Sequence, residues 1–510
     1  MRSRTALLAA ALLAGSLPGV SLAVGGEAPT ALLASGSPNL TPVAHLPHAE
    51  NSRGVAAKGS DLEFAVLDLD GLQDADGNAV EGVRTFAIAG TINIDGVANS
   101  GMQIVDITDP EKPVRAGLFE CTNGQGDIQV FTRDDLRDDR GVARTFATYT
   151  TDSSGTTSSP CYQDAIGKGF TAEDSGTFIV DITNPYDPQL VRFVEIRLGS
   201  HNQTVHPSGK YMYNSNNELT RPQAAAIEVF DISDLEDPKL VKELPLQTGL
   251  DSHDISFNAD GTRAYSAAIT HTLIINTENP AEPRIVGRVL DPTLGIQHQA
   301  EPVTIKDAVL GERTFLAITD EFAGAAGNGF CPGGGIGIYD VTGALEANPV
   351  RVGYWNIPET RVAGGNAAGA TGTSLRCTSH VLRFYPEQKL MSIGWYNAGV
   401  RLVDISGLAG VSVGASPAAG NVGVGMKEVA YHWFDNSESW TAKIHEFEED
   451  GSAYVFSNDI TRGLDVYRYE ADAPAAEQTG TWLDAAAVAK KPAYDYALGN
   501  LVPLCSAPQV

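Results

Sequence analysis

The sequence predicts an all-β fold, a seven-bladed β-propeller, on three observations. A phrase of apolar residues ending in Asp recurs along the chain, as in GMQIVDITDP from Gly101 to Pro110 and GTFIVDITNP from Gly176 to Pro185. Seven copies follow one another at spacings of 45 to 75 residues, and short strand-like segments surround them. A segment near the amino terminus matches the strand that the last copy lacks. Seven units of four short strands are typical of propeller blades.

The recurring phrase predicts one strand of each blade. Its residues are mostly β-branched, aliphatic or aromatic, which favours a buried strand. We expect the polar residue at its end to turn its side chain onto backbone N–H groups two residues further on, and a following Pro to end the strand. In the seven copies this position is held by Asp106, Asp181, Asp231, Asn276, Asp340, Asp404 and Arg468.

The strands on either side of the phrase complete the blades of a predicted propeller domain, 39–470. The predicted blades span about residues 61–120, 127–196, 201–246, 253–290, 298–357, 380–434 and 445–470. No clear fourth strand follows the seventh copy. Residues 40–47 resemble the fourth strands of other blades, so we expect them to complete blade seven and close the ring, with 481–483 as the competing segment.

The two ends of the chain differ from the repeats. Residues 1–23 are typical of a signal peptide, because Arg2 and Arg4 precede an apolar stretch and Ser21-Leu22-Ala23 suits cleavage. Residues 24–38 are predicted to form a linker and 471–510 a carboxy-terminal extension. We therefore expect a secreted, periplasmic or cell-surface protein, and no later segment is long and apolar enough to span a bilayer.

The chain is strongly acidic. Its formal net charge is −28, and removal of Arg2 and Arg4 with the signal peptide brings it to −30. Such a charge excludes nucleic acid and anionic lipid as expected partners.

Five cysteines in an oxidising compartment predict disulfides. Four of them lie in loops expected on one face of the propeller. We expect the pairs Cys121–Cys161 and Cys331–Cys377, with Cys505 unpaired. An arrangement in which Cys505 takes one of these partners stays open.

Five of the ten histidines occupy one phase of the repeat, at the predicted start of a blade's first strand. They are His201, His253, His298, His380 and His445. First strands line the central channel, so these imidazoles are expected to converge on the axis at one mouth. With carboxylates nearby they would suit Fe, Cu or Zn. Six acids are candidates for further ligands, proton acceptors or partners that orient the imidazoles: Asp254, Glu301, Asp320, Glu321, Glu446 and Asp459.

Two simpler interpretations stand beside these. A histidine at a strand start can hydrogen-bond a carbonyl of the next blade without any metal. The acidic stretch at 70–78 resembles a calcium loop, but its Gly falls at the wrong place for an EF-hand, and an exposed turn explains it as well.

Phrases such as Ile104-Val105-Asp106-Ile107 and Leu402-Val403-Asp404-Ile405 resemble the LVIVD-repeat family of secreted bacterial β-propellers. The resemblance covers about residues 60–470, and Arg468 departs from it. Gln297-His298-Gln299 followed by Asp320-Glu321 is also similar to a blade of the choice-of-anchor type of extracellular propellers. The family implies a propeller at the cell exterior and no established reaction.

Two functions follow from these patterns. One is a metalloprotein, an oxidoreductase or a hydrolase, that works in an axial funnel lined by the histidines. The other is a metal-free scaffold whose loops at 153–175, 323–334 and 359–377 recognise a protein, glycan or small-molecule ligand.

Overall fold

A computed structural model describes residues 34–50, 56–92, 101–121, 126–151, 158–196, 199–216, 226–247, 250–307, 309, 311–321, 334–357, 378–411 and 425–473. In this part of the chain seven antiparallel sheets form the blades of a propeller ring, which confirms the predicted fold class. The innermost strands of successive blades contact one another, and the innermost strand of blade seven contacts that of blade one.

Each blade has the same strand order from the axis outward. The innermost strands are Lys58–Asp68, Ile128–Arg137, Asn202–Val205, Ile255–Phe257, Gln297–Asp307, Leu382–Tyr385 and Ser439–Phe447. The second strands are Val83–Ile92, Ala143–Thr151, Tyr211–Ser215, Arg263–Ala268, Gly311–Asp320, Leu390–Gly394 and Ala453–Asp459. The third strands are Gly101–Asp106, Gly176–Asp181, Ala226–Asp231, His271–Asn276, Ile336–Asp340, Val400–Asp404 and Gly463–Tyr469. The outermost strands are Val114–Glu120, Gln189–Glu195, Lys239–Pro245, Arg284–Val289, Val350–Trp355, Lys427–Phe434 and Leu40–Leu46.

The ring is closed by the amino-terminal segment, as predicted. Leu40–Leu46 pairs antiparallel with Gly463–Tyr469 and supplies the outermost strand of blade seven. The competing segment 481–483 lies outside the described residues. Closure leaves no open edge between the first and last repeats of the chain.

The predicted linker 24–38 contains a strand that the sequence did not reveal. Ala34–Gly36 pairs with the outermost strand of blade six and makes that blade five-stranded. Small side chains allow this approach, because a Cβ atom on Gly36 would overlap the ring of His432.

The polar residue at the end of the third strand behaves as predicted in six blades. Its side-chain oxygen accepts a hydrogen bond from the backbone N–H two residues further on, at 2.7 to 3.1 Å, at Asp106, Asp181, Asp231, Asn276, Asp340 and Asp404. In blade seven Arg468 pairs instead with Glu448. A register shift recurs in the pairing of the third and outermost strands of all seven blades.

The core lies between the blades, where apolar faces of neighbouring sheets meet. Ile88 and Ile104 of blade one, for example, share a buried cluster with Tyr149 and Phe178 of blade two. The described residues also contain the short α-helix Pro160–Gly167 and the 3-10 turns Gly343–Ala347 and Ser406–Gly410. Among the described residues no helix has the length and apolar character needed to cross a membrane.

Candidate metal centre

Four of the five predicted histidines come together around the axis. His201, His253, His298 and His380 are buried at the starts of the innermost strands of blades three to six. The ring centroids of successive members lie 4.0, 4.3 and 4.0 Å apart. Backbone hydrogen bonds to the second strand of the same blade fix these positions, as in His253 N to Ala267 O at 2.7 Å. Side chains at equivalent positions of blades three to six therefore lie close together at the axis, as predicted.

His445 does not join this cluster, so its prediction was wrong. It lies near the far end of the innermost strand of blade seven, is exposed, and packs its ring against Phe64 at 5.2 Å. The blade-seven position equivalent to the histidines is Trp440, whose ring lies 4.4 Å from that of His380. That strand begins at Ser439, six residues before the start that the sequence had suggested.

Two of the six predicted acids accompany the histidines. His253 Nδ1 lies 3.1 Å from Asp254 Oδ1, and His298 Nδ1 lies 3.5 Å from Asp254 Oδ2. On the other side, Glu321 places Oε2 3.6 Å from His298 Nε2 and Oε1 3.7 Å from His380 Nε2. In two groups of residues the ligand atoms all lie within 4.8 Å of one another: His201, His253 and Asp254; and His253, His298 and Glu321.

The distances from the Glu321 carboxylate oxygens to the nearest imidazole nitrogens are close to those between two donor atoms bound to one metal ion. Donor atoms bound to a tetrahedral Zn²⁺ at the usual bond lengths lie about 3.3 to 3.6 Å apart. The two contacts of Glu321 with imidazole nitrogens, at 3.6 and 3.7 Å, are close to this range and too long for hydrogen bonds.

The protonation of His380 leaves a nitrogen lone pair facing Glu321. His380 Nδ1 lies 2.9 Å from the carbonyl oxygen of Trp440, so Nδ1 carries the proton of the neutral ring. Burial lowers the pKa of His380 to about 3, so the ring stays neutral. Nε2 is buried and has no hydrogen-bond partner among the described residues. A lone pair that faces a carboxylate oxygen is stabilised by a cation between them.

Glu321 is itself held in place. Tyr396 donates its hydroxyl hydrogen to Glu321 Oε1 at 2.7 Å, and both side chains are buried. The Tyr396 ring also packs on His380 at 4.7 Å. Partners of this kind orient metal-binding groups.

The other four predicted acids lie elsewhere. Asp320 accepts hydrogen bonds from the backbone of Gly295 and Ile296, and Asp459 accepts them from the backbone of Glu438 and Thr461, so both carboxylates stabilise turns. Glu446 is exposed beside His445. Glu301 lines the axial cavity. None of these four belongs to either group of close ligand atoms.

A cavity of about 230 Å³ occupies the channel next to the histidines. Its upper ring consists of the residues that directly follow the histidine position in blades one to six: Asp61, Asp127, Asn202, Asp254, Gln299 and Val381. Its lower ring lies two residues further along each innermost strand: Glu63, Gln129, Thr204, Ser256, Glu301, Arg383 and Lys443. Asp254 belongs both to the cavity wall and to the metal centre.

The cations of the lower ring are paired on one side of the cavity. Lys443 Nζ lies 2.8 Å from Asp61 and 2.9 Å from Glu63, and Arg383 also pairs with Glu63. Burial opposes ionisation of Glu63, but Arg383 and Lys443 outweigh it and lower its pKa to about 2.

The pKa values of the carboxylates on the other side of the cavity shift in the opposite direction from that of Glu63. Burial raises the pKa of Asp254 to about 6 and that of Glu301 to about 7. Burial, together with the nearby Asp254, raises the pKa of Asp127 well above its ordinary value.

Most of the cavity wall was not predicted as part of a site. Asp61, Asp127, Asn202, Arg383 and Lys443 were not among the predicted site residues. Their signal was present in the sequence, because residues one and three positions after the histidine phase point into the same channel.

The structure contains the predicted disulfide Cys121–Cys161, which links the end of blade one to the helix Pro160–Gly167. Cys331, Cys377 and Cys505 lie outside the described residues, so the second pair stays a prediction. In the acidic stretch at 70–78, Asp74 accepts hydrogen bonds from the backbone of Asp76 and Asn78, which is an Asx-type turn.

No protein-family model matches the chain, and no curated protein matches it. Solved structures to which the chain is similar include a putative 6-phosphogluconolactonase from Bacteroides fragilis, with 11% identity, 80% of this chain and 94% of that chain covered, and a TM-score of 0.42. The periplasmic gluconolactonase PpgL of Pseudomonas aeruginosa has 11% identity, with 69% and 94% covered and a TM-score of 0.37. A functionally unknown protein from Desulfotomaculum acetoxidans has 12% identity, with 72% and 88% covered and a TM-score of 0.38. Likeness at this level says nothing about activity.

Proposed function

We propose that this protein is an exported propeller of the LVIVD-repeat type that binds one transition-metal ion, Fe, Cu or Zn, in its axial histidine cluster. The ligands are His253, His298 and Glu321, with His380 beside them. The observation that carries the proposal is the buried Nε2 lone pair of His380 opposite Glu321, whose carboxylate also faces His298.

The donor set supports this choice of metals. Imidazole nitrogen suits Zn, Cu and Fe, and a combination of two imidazoles with one carboxylate occurs in Zn hydrolases and in Fe(II) oxygenases. Ca²⁺ is disfavoured, because it prefers six to eight oxygen ligands.

The surroundings point to chemistry at the cavity side of the ion. The aromatic rings of Trp440 and Tyr396 pack against His380 at one end of the cluster, whereas Asp254 connects the cluster to the axial cavity. A substrate reaches the centre along this cavity, where Asp254 is placed to accept a proton. A bound ion would supply Lewis-acid or redox chemistry there.

Export is supported by the amino-terminal pattern and by one disulfide. The basic start, apolar stretch and small-residue cleavage site of residues 1–23 are typical of a signal peptide. Cys121–Cys161 suits an oxidising compartment.

Elemental analysis of the purified mature protein tests the proposal. We expect about one transition-metal ion per chain in the wild type, and loss of most of it in the His298→Ala, His380→Ala double variant. The control is His445→Ala, which removes an exposed imidazole and should retain the metal. Metal-free wild-type protein that takes up no Fe, Cu or Zn on titration would leave the scaffold function as the better account.

A further inference from the structure

The axial cavity has an uneven distribution of charge. On one side Lys443 and Arg383 neutralise Asp61 and Glu63. On the other side stand three carboxylates, Asp127, Asp254 and Glu301. Among the described residues no Lys or Arg forms an ion pair with any of these three. The cavity wall therefore carries carboxylates without cationic partners in a buried place, where an unpaired charge is costly.

Asp127 shows the imbalance most clearly. It is only 6% exposed and lines the cavity. In the described part of the chain one hydrogen bond reaches it, from Asn202 Nδ2 to Oδ2 at 3.5 Å, and none reaches Oδ1. The same Asn202 amide donates to Asp254 Oδ1 at 3.2 Å, which holds the two carboxylates on either side of one donor. A buried carboxylate that lines a cavity and has only one long hydrogen bond is a site for a positively charged group.

The spread of the carboxylates argues for a molecule rather than a metal ion. Asp127, Asp254 and Glu301 belong to three different blades, and no group of mutually close ligand atoms in the described residues contains two of them. An ammonium group offers three N–H donors that point in different directions. A cavity of about 230 Å³ has the volume of roughly eight water molecules, which admits a ligand of similar non-hydrogen atom count.

The rest of the wall suits the remainder of such a ligand. Val381, which directly follows the histidine position in blade six, offers apolar surface for a short carbon chain. The hydroxyl group of Ser256 on the lower ring hydrogen-bonds the Glu301 carboxylate and helps to position it.

We propose that the axial cavity is a binding site for a small organic cation, a primary amine on a short carbon chain, held by Asp127, Asp254 and Glu301. The site shares Asp254 with the metal centre, but it does not require the ion, because Asp127 and Glu301 lie outside the imidazole cluster and Asp254 is not one of the proposed ligands.

Isothermal titration calorimetry on the mature protein, at constant ionic strength, tests the proposal. The probes are n-butylammonium chloride and its neutral counterpart 1-butanol, with glucose as a polyhydroxylated probe. We expect saturable 1:1 binding of n-butylammonium, and no binding of either neutral probe. The result should be the same before and after treatment with EDTA, which separates this proposal from that of the metal.

Substitutions identify the carboxylates. Asp127→Asn and Glu301→Gln keep the side-chain volume and should each weaken n-butylammonium about tenfold or more, because each removes a charged acceptor. Glu446→Gln, an exposed acid outside the cavity, should leave the affinity unchanged. Circular dichroism and thermal unfolding verify that the variants are folded.

Three results would overturn the proposal. One is 1-butanol or glucose binding as tightly as n-butylammonium. Another is the absence of any heat of cation binding up to about 10 mM, an affinity too weak for a built site. The third is unchanged affinity in both Asp127→Asn and Glu301→Gln.

Discussion

At the scale of single residues, Lys443 is the buried cation that stabilises the cavity wall. Its side chain is 3% exposed and lies within 2.9 Å of both Asp61 and Glu63. Lys443→Met removes the cation and leaves two buried carboxylates with only Arg383 near them. We expect a loss of about 3–5 kcal/mol in the free energy of unfolding, measured by urea denaturation.

The matched control is Lys242→Met. Lys242 also has a carboxylate partner at 2.7 Å, Glu282, but the two side chains are 34% and 61% exposed. Its removal should cost no more than about 1 kcal/mol, since solvent screens the pair. Equal effects of the two substitutions would show that the Lys443 pairs are not buried in solution.

The buried carboxyl group of Glu228, which lies outside both candidate sites, should make the free energy of unfolding depend on pH. Burial raises its pKa from the ordinary 4.5 to about 7, although Asn214 hydrogen-bonds the carboxylate. The folded protein keeps this proton up to about pH 7, whereas the unfolded chain releases it near pH 4.5. The contribution to stability is therefore full below pH 4.5 and is lost as the pH rises through 7.

Glu228→Gln removes this titration. Relative to wild type, the variant should gain about 3 kcal/mol in the free energy of unfolding between pH 4 and pH 8. Urea denaturation across this range measures the difference, and Glu236→Gln, an exposed substitution, should run parallel to wild type. A constant difference between Glu228→Gln and wild type would contradict the raised pKa.

Four of the five histidine positions could be predicted from the sequence, and one could not. His201, His253, His298 and His380 share one phase, and the structure brings them together. His445 was assigned to the same phase as the predicted start of a first strand, but the blade-seven strand begins six residues earlier, at Ser439, and its pairing contains two register shifts. Such irregularities move every later side chain and leave no clear mark in the sequence.

At the scale of elements, the closing strand makes the strongest prediction. Leu40 is 1% exposed and packs in the cluster that contains Val400 and Tyr469. Leu40→Ala should lower the free energy of unfolding by about 2–5 kcal/mol, because it leaves a cavity between blades six and seven. Thermal and urea unfolding measure the loss.

The neighbouring residue supplies the control. Thr41 lies on the same strand but is exposed, so Thr41→Ala should change the free energy of unfolding by less than about 0.5 kcal/mol. If Leu40→Ala were as mild as Thr41→Ala, this strand would not complete blade seven in solution.

Strands could be predicted from the sequence where the same short motif recurs in each blade. The apolar phrase with its terminal Asp identified the third strands, since the Asx-type hydrogen bond depends on the residue itself and on its immediate neighbours. Ala34–Gly36 was missed because its three small residues carry no alternating pattern. That strand exists through pairing with Lys427–Phe434, nearly 400 positions away in the sequence.

At the scale of the whole molecule, residues at equivalent positions of successive repeats lie close together in space because the blades form a ring. The residues of the upper and lower rings come from strands distributed over most of the chain, and they meet because each innermost strand faces the axis. The sequence could predict that convergence, but not which cations neutralise which carboxylates. The pairing of Lys443 with Asp61 and Glu63 depends on the contact between the last blade and the first.

The most direct test of the metal centre is a crystal structure of the metal-loaded protein, with anomalous-difference maps recorded at the absorption edge of the bound metal. The account predicts one dominant peak on the axis, within about 2.0–2.2 Å of a ring nitrogen of His298 and of a Glu321 oxygen. A map without a peak among His253, His298 and Glu321, or with its main peak at an exposed site such as His445 and Glu446, would contradict it.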